Sequence, residues 1–252
     1  KPYGMILICG ATGSGKTTTL YAALREIDLI EKNVLTVEDP VEYRLSMVKQ
    51  TSVNEKAGYS FEAAGRTFMR QDPDVILLGE IRDEETATIA LRASITGHLV
   101  LSTLHTNDAV STALRLLDMG AEGFLVASSL RTVLAQRLVR RICDSCCCDA
   151  DDDPIHLNWL NSYAPGLSIA SFKQGRGCPL CNNTGYRGRR VVSELLEITP
   201  ELSTMISNGA TTQAIKAFAQ QQGMQTLTQN AVKLARDGNT SIEEVFAVRL
   251  DA

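Results

Sequence analysis

The sequence predicts an α/β fold in which a mostly parallel sheet is flanked by helices over residues 1–142, with two smaller parts following it. Three observations predict this. Apolar, β-branched runs alternate with helix-spaced segments through that region. A glycine-rich turn ending in Lys-Thr joins the first run to the first helix. From Cys143 the periodicity stops, and cysteine, glycine, asparagine and charge take over.

The first strand is Met5–Cys9, and the first helix spans Thr17–Ile30. Between them, Gly10, Ala11, Thr12, Gly13, Ser14, Gly15, Lys16 and Thr17 match G-x-x-x-x-G-K-[ST], the phosphate loop, in the strand-then-helix context that its chemistry requires. The glycines let successive N–H groups point at phosphate oxygens, and the helix adds its positive dipole end. Lys16 is placed to neutralise the β- and γ-phosphates, and the Thr17 hydroxyl to hold a magnesium ion, Mg2+. Thr18 completes the set of candidate nucleotide-binding residues.

Further strands are expected at Val34–Glu38, Val75–Gly79 and Leu99–Leu104, with helices at Phe61–Gln71 and Glu84–Ile95. Asp108 reads as the N-cap of a helix running to Met119, which Gly120 stops. A helix over Ser128–Arg141 carries Leu130, Val133, Leu134 and Leu138 at helical spacing. After the irregular segment, Val191–Ile198 reads as a strand, followed by helices at Pro200–Ser207, Thr212–Gln222 and Gln225–Arg236 and a last one capped by Ser241-x-x-Glu244. The expected division is 1–142 for the core, 143–190 for the cysteine-bearing subdomain and 191–252 for a mostly helical C-terminal subdomain.

Hydrolysis needs acids and a charge sensor beside the phosphate loop. Strand ends on the loop side of a doubly wound sheet converge on the ligand crevice, so Glu38 and Glu80 should face it. Gly79 occupies the place where an aspartate commonly precedes the glutamate, so Glu80 is expected to hold magnesium-bound water or align the attacking water, with Glu38 as second acid. Both are candidates for the proton acceptor. His105 closes the strand Leu99–Leu104 on that same edge, where an imidazole can sense a γ-phosphate, while His98 lies at the strand's other end. Arg66, Arg70 and Arg82 flank the third strand and are candidates to chelate developing phosphate charge, within one subunit or across two.

Cys143-x-x-Cys146 and Cys178-x-x-Cys181 have the spacing of a four-thiolate zinc site, Zn2+, closed and architectural rather than catalytic. Cys147 and Cys148 follow directly and are alternatives to Cys146 as ligand. Cys9 reads as a small buried hydrophobe and His156 as incidental.

With 252 residues and 44% hydrophobic content the chain can bury one sizeable domain and a smaller one. It has no apolar run of membrane-spanning length and no signal-peptide pattern, so a cytoplasmic protein is expected. It begins at Lys1 with a strand almost at once, as a piece of something longer would. The net charge of −4 argues against bulk nucleic-acid binding. Arg131, Arg137, Arg140, Arg141, Lys173, Arg176, Arg187, Arg189 and Arg190 nevertheless cluster, as a solvated face or as a contact for acidic lipid headgroups or a partner protein.

Taken together, Gly10–Thr17, Thr36–Glu42, the run from Arg70 to Asp83, Thr96–Asp108 and the two cysteine pairs closely resemble the secretion ATPases of type II secretion and type IV pilus assembly. In that family these are the Walker A, aspartate-box, Walker B and histidine-box motifs, and the matches run from Gly4 to about Glu244. The resemblance implies a RecA-like P-loop core binding ATP, a zinc-binding subdomain and a homo-hexamer with nucleotide between neighbours. It implies a further amino-terminal domain donating arginines, and a motor peripheral to the inner membrane, docked through platform and docking proteins. Pilus-retraction relatives generally lack the cysteine pairs, so Cys143–Cys181 tilts the chain toward assembly or export. A nucleic-acid translocase and a non-hydrolysing scaffold are the competing classes; the acidic charge and lack of interleaved aromatics weigh against the first, and intact Lys16, Glu38 and Glu80 against the second.

Overall fold

The computed structural model describes residues 3–151, 153–163 and 172–249; Asp152, in the acidic stretch 149–153 that the sequence places between the two cysteine pairs, lies outside them. The first strand, β1 (Gly4–Cys9), is almost wholly buried and leads through the glycine loop into α1 (Lys16–Arg25). Then come β2 (Val34–Glu38), buried at every position, and β3 (Lys49–Ser52). Next are α2 (Phe61–Phe68), β4 (Val75–Leu78), α3 (Glu84–Ile95), β5 (Leu99–Leu104) and α4 (Ala109–Asp118). The cap expected at Asp108 forms, accepting from the Ser111 backbone N–H at 2.8 Å, and Asp83 caps α3 in the same way, accepting from Thr86 N–H at 2.8 Å.

The chain continues through α5 (Gly123–Ser129), β6 (Leu130–Ile142), β7 (Cys147–Asp149), α6 (Pro154–Tyr163), β8 (Lys173–Gly175) and β9 (Tyr186–Glu197). It ends in α7 (Pro200–Ser207), α8 (Thr212–Gln221), α9 (Leu227–Arg236) and α10 (Ile242–Val248). Seven strands form one sheet in the order β3-β2-β4-β5-β1-β6-β9, and β7 pairs antiparallel with β8.

The pairs from β3 through β6 are all parallel, with Cys9 opposite Leu104, Leu78 opposite Ser102 and Val37 opposite Leu78. Parallel pairing in this register brings the carboxyl ends of β1, β2, β4 and β5 to one edge, which is where ligands bind in open α/β sheets. Behind that edge Leu20, Tyr21 and Leu24 of α1 pack on Ile8, Val34, Val75, Leu77 and Leu101. Each such leucine contributes about 1.5–3 kcal/mol by leaving water.

The helix expected over Ser128–Arg141 is instead α5 followed by the 13-residue strand β6. Beside β1 the pairing slips between Met5 and Ile6, so Leu130 and Thr132 take consecutive partners and Arg131 is passed over. A bulge of this kind breaks strict alternation. It leaves Leu130 and Val133 three apart on buried positions, a spacing that imitates a helix. Three other elements run differently from expectation. α1 ends at Arg25 rather than Ile30, and Asp28 Oδ1 then accepts from the N–H of Ile30 at 3.0 Å in a turn. α2 ends at Phe68, and β9 begins at Tyr186 rather than Val191.

By packing, the chain divides into two compact units: one runs through Ala135 and resumes over Leu195–Met224, the other joins Gln136–Glu194 to the C-terminal part from Gln225. This differs from the three consecutive segments that composition indicated. Helices α7 and α8 belong to the first unit, where Ser203 Oγ donates to the Ala127 carbonyl at 2.7 Å. Helices α9 and α10 belong to the second. There the buried Glu244 receives the Arg140 backbone N–H at 2.6 Å and its Nε at 2.9 Å, and the Arg140 guanidinium lies 4.0 Å from the Tyr186 ring.

Candidate functional site

The loop from Gly10 to Gly15 is closed by a turn in which Ser14 N–H donates to the Ala11 carbonyl at 3.1 Å. Gly15 is the N-cap of α1 with φ 87°, a left-handed conformation, and its position carries no side-chain cap. The first amides of α1 therefore face the loop's hollow with the helix dipole behind them, which suits an anion. Lys16 Nζ donates to the Gly10 carbonyl at 2.9 Å and the Ala11 carbonyl at 3.3 Å, so its ammonium lies over the loop. Thr17 follows it, half-buried, and Ala11, Thr12, Gly13 and Thr18 are exposed. Backbone amides, ammonium and hydroxyl are the donor set that a magnesium-bound triphosphate requires.

On the same edge, Glu80 follows β4 and pairs with Arg82, while His105 Nε2, just past β5, lies 3.3 Å from Glu80 Oε2. Arg82 also reaches Asp39 at 3.2 Å and sits over the Phe61 ring. The result is a continuous chain of charge, Asp39–Arg82–Glu80–His105, drawn from three strand ends. Cys9, at the end of β1, points its thiol at the Asp108 carbonyl, 3.6 Å away, which sets the segment after β5 beside the phosphate loop.

The glycine in the usual aspartate place has a steric cause. A Cβ on Gly79 would lie 3.1 Å from the Val37 carbonyl oxygen, 3.2 Å from Glu38 Cα and 3.3 Å from the Phe61 ring. Strand β2 approaches so closely that a side chain there would force its backbone or the Phe61 ring to give by a few tenths of an ångström, and the second acid comes from β2 itself. Replacing Gly79 with Ala is expected to destabilise the protein by about 1–3 kcal/mol through overpacking against backbone. Thermal denaturation measures this, and an unchanged Tm would refute the crowding.

Glu38 is nine-tenths or more buried, and both of its oxygens are engaged. Tyr21 OH, from α1, donates to Oε2; Thr36 Oγ1 donates to Oε1 at 2.6 Å and Gln50 Nε2 at 3.2 Å. Burial, then the hydrogen bond to Glu38 and that carboxylate's charge, push the Tyr21 phenol far above its ordinary pKa. Gln50 Nε2 also lies 3.2 Å from the Tyr21 hydroxyl and from the Tyr43 carbonyl, and its Oε1 accepts from Leu45 N–H at 2.6 Å.

The other candidates lie elsewhere. Arg66 makes an exposed ion pair with Glu62, one turn away on α2, at 2.5 Å. Arg70 precedes Gln71, whose carbonyl accepts from Asn33 just before β2, so Arg70 sits at the amino edge of the strands, opposite the phosphate loop. His98 occupies that amino edge too, its Nδ1 2.9 Å from the Ala93 carbonyl. His156, in the second unit, lies 3.5 Å from Asp153 and against the Phe246 ring. Tyr21 and Gln50 are the participants that sequence reasoning passed over, while Asp39 entered it only as a member of the Thr36–Glu42 motif. Tyr21 reads as one more member of an apolar helix stripe, and β3 is too polar to read as a strand.

In the second unit the thiols of Cys143, Cys146, Cys178 and Cys181 all lie within 4.8 Å of one another. Three Sγ–Sγ separations are 3.9, 3.9 and 3.7 Å. A tetrahedron with metal–sulfur bonds of about 2.3 Å has edges of about 3.8 Å. The cluster therefore fits a tetrahedral zinc ion. Cys147 and Cys148 are directed away from it by pairing with Gly175 and Gln174, so Cys146 is the member that the fold delivers.

Burial pushes the Cys146 thiol up to about 12. Burial acts the same way on Cys181, yet the N–H groups of Cys178 and Gly185, 3.2 and 3.3 Å from its sulfur, bring it down to about 6. A bound cation is what would make four thiolates in one place tolerable. The two halves of the module meet at glycine, because a Cβ on Gly175 would lie 2.0 Å from the Gly185 carbonyl oxygen.

Among known proteins, the family model described as "Type II/IV secretion system protein" matches residues 1–247. The chain is 47% identical to "Type II secretion system protein HxcR" of Pseudomonas aeruginosa, over 100% of this chain and 50% of that protein. It is 46% identical to "Type II secretion system ATPase E" of Vibrio cholerae, over 98% of this chain and 49% of that protein. It is also 46% identical to "Type IV pilus assembly ATPase PilB" of Myxococcus xanthus, over 97% of this chain and 44% of that protein. The chain thus spans about half the length of these relatives. Among solved structures, the pilus retraction motor PilT with bound ADP superposes with a TM-score of 0.74 at 30% identity, covering 99% of this chain and 62% of that one. The RecA-like parallel-sheet core expected from the motifs is the fold these proteins share, and the chain belongs to the type II/IV secretion system protein family.

Proposed function

We propose that this chain carries the catalytic centre of a magnesium-dependent ATPase that powers assembly of a secretion pseudopilus or a type IV pilus. The observation that carries the reading is the convergence of the phosphate loop, Glu38, Glu80, Arg82 and His105 on one edge of a parallel sheet. The amides of the loop and Lys16 bind the β- and γ-phosphates. Thr17 is the residue that would hold magnesium, and Glu80 would act on the water beside it; when bound, the ion neutralises charge on the β- and γ-phosphates.

Glu80, held between Arg82 and His105, aligns the attacking water, which bonds to the γ-phosphorus as the bond to the β–γ bridging oxygen breaks and ADP leaves. His105 and Arg82 respond to the charge that then separates. Because ligands shift an arrangement only through unequal affinity for two states, these contacts are the source of mechanical work. The four cysteines hold zinc in an architectural role.

The relatives' names support a place in a secretion or pilus machine, and nothing in them supports a nucleic-acid translocase. A homo-hexamer, docking to inner-membrane platform proteins from the cytoplasmic side, and contact of the arginine-rich segment with acidic lipid complete the proposal. Within such a ring Arg66, exposed and paired with Glu62, and Arg70, at the amino edge of the strands, would act on a neighbour. Among the described residues no helix is long and apolar enough to cross a membrane, in keeping with attachment through partners.

Equilibrium titration of the full-length assembled protein with ATP and magnesium tests the reading. Lys16→Ala is expected to weaken binding about 10- to 100-fold, since one charge-assisted contact to phosphate is worth about 1.5–3 kcal/mol. Undetectable uptake by the unaltered protein would end it.

A further inference from the structure

We propose that Tyr21 and Gln50 are positioning residues for catalysis, clamping Glu38 at the carboxyl end of β2, on the sheet edge that carries the phosphate loop. This deepens the hydrolytic reading above and rests on it.

A carboxylate offers about four acceptor directions. Three around Glu38 are taken by donors: the Tyr21 hydroxyl on one oxygen, and Thr36 Oγ1 and Gln50 Nε2 on the other. Every partner donates and none accepts, so the network is built for a carboxylate acting as acceptor. Thr36 lies two residues away on the same strand, so it moves with Glu38. Tyr21 and Gln50 come from other elements, and they set the direction of the group relative to the phosphate loop.

Tyr21 is the more consequential of the two. It lies on α1, the helix whose first turn faces the phosphate, and it has no exposed surface. Its ring packs edge-on against Tyr43 at 4.7 Å. A phenylalanine would fill the same space, so the hydroxyl is not needed for packing. Its function is to lock α1 to the acid at the end of β2, so that the helix that binds phosphate and the carboxylate that faces it shift together. Gln50 closes the other side: it bonds Tyr21 OH, Glu38, the Tyr43 carbonyl and the Leu45 amide, tying the segment between β2 and β3 to the same point. Buried networks of this kind, when fully satisfied, fix one geometry.

The test compares Tyr21→Phe, Gln50→Leu and Glu38→Gln, singly and as Tyr21→Phe with Glu38→Gln, in the full-length assembled ATPase. Tyr21→Phe is expected to lower kcat about tenfold, a fraction of the 10²–10⁴ that a placed acid or base supplies, while the Kd for magnesium-ATP stays within about twofold. If Tyr21 acts through Glu38, adding it to Glu38→Gln should lower kcat less than about twofold further.

An unchanged kcat in Tyr21→Phe, or a full additional tenfold loss in the Glu38→Gln background, would overturn the proposal. So would parallel losses of kcat and nucleotide affinity with a collapse of Tm in both Tyr21→Phe and Gln50→Leu, which would mark a structural role only. Absence of turnover in the unaltered protein would refute the hydrolytic reading itself, a result distinguishable from all of these.

Discussion

Glu80→Gln in the assembled protein is expected to bind magnesium-ATP as the unaltered protein does and to turn it over about 10²–10⁴ times more slowly. The substitution keeps the shape of the side chain and one oxygen that can still meet His105 or Arg82. It removes the negative charge that, in the proposed mechanism, orients water against the γ-phosphate. Because Asp39 also holds Arg82, at 3.2 Å, the guanidinium keeps a carboxylate partner and the local backbone has no reason to move. Single-turnover phosphate release, run beside a binding titration, separates the two effects. Turnover within a few-fold of normal would exclude Glu80 from the chemistry and return the role to Glu38.

Stripping zinc is expected to release the module around the four cysteines while leaving the phosphate-loop unit folded. Structural zinc contributes on the order of 10–16 kcal/mol at neutral pH, as much as the whole stability of a typical domain. Without the ion, buried thiols crowd one another at separations near 3.9 Å with nothing to bind them. The amides that report the loss are specific: Cys143 N–H bonded to the Gly185 carbonyl at 2.9 Å, Arg176 N–H to the Cys146 carbonyl at 3.1 Å, and Gly185 N–H to the Cys181 sulfur.

Hydrogen exchange with and without a chelator, and in Cys178→Ser, should show these amides losing protection first. Helices α9 and α10 keep a buried apolar set of their own, including Leu227, Ala231, Ala235 and Val245, so they should open later. Unaltered protection at Cys143 and Gly185 after the metal is removed would show that hydrogen bonds alone hold the module.

Much of this was legible in the residues. The phosphate loop, the buried strands β1, β2, β4 and β5, the cap at Asp108 and the two cysteine pairs are local patterns, each set by chemistry within a few positions. Glu80 and His105 could be placed on one edge because parallel strands joined by helices present all their carboxyl ends together. Strand β6 could not be read, since a slip beside β1 disguised its alternation as helical spacing. Gly79 could be noticed as unusual, but its cause is the backbone of β2 pressing on it from 40 residues earlier in the chain.

By itself, then, the sequence determined which groups the proposed chemistry draws on: a glycine-rich loop ending in Lys-Thr, acids at strand ends and two cysteine pairs, because each depends on residue types at short spacing. Tertiary structure alone decided how those groups are held. It chose Cys146 over its two neighbours by pairing Cys147 and Cys148 with β8, separated Arg70 from the phosphate edge, and surrounded Glu38 with donors from α1 and β3. Such choices depend on register and on contacts between residues far apart in the chain, and those exist only once strands and helices have packed.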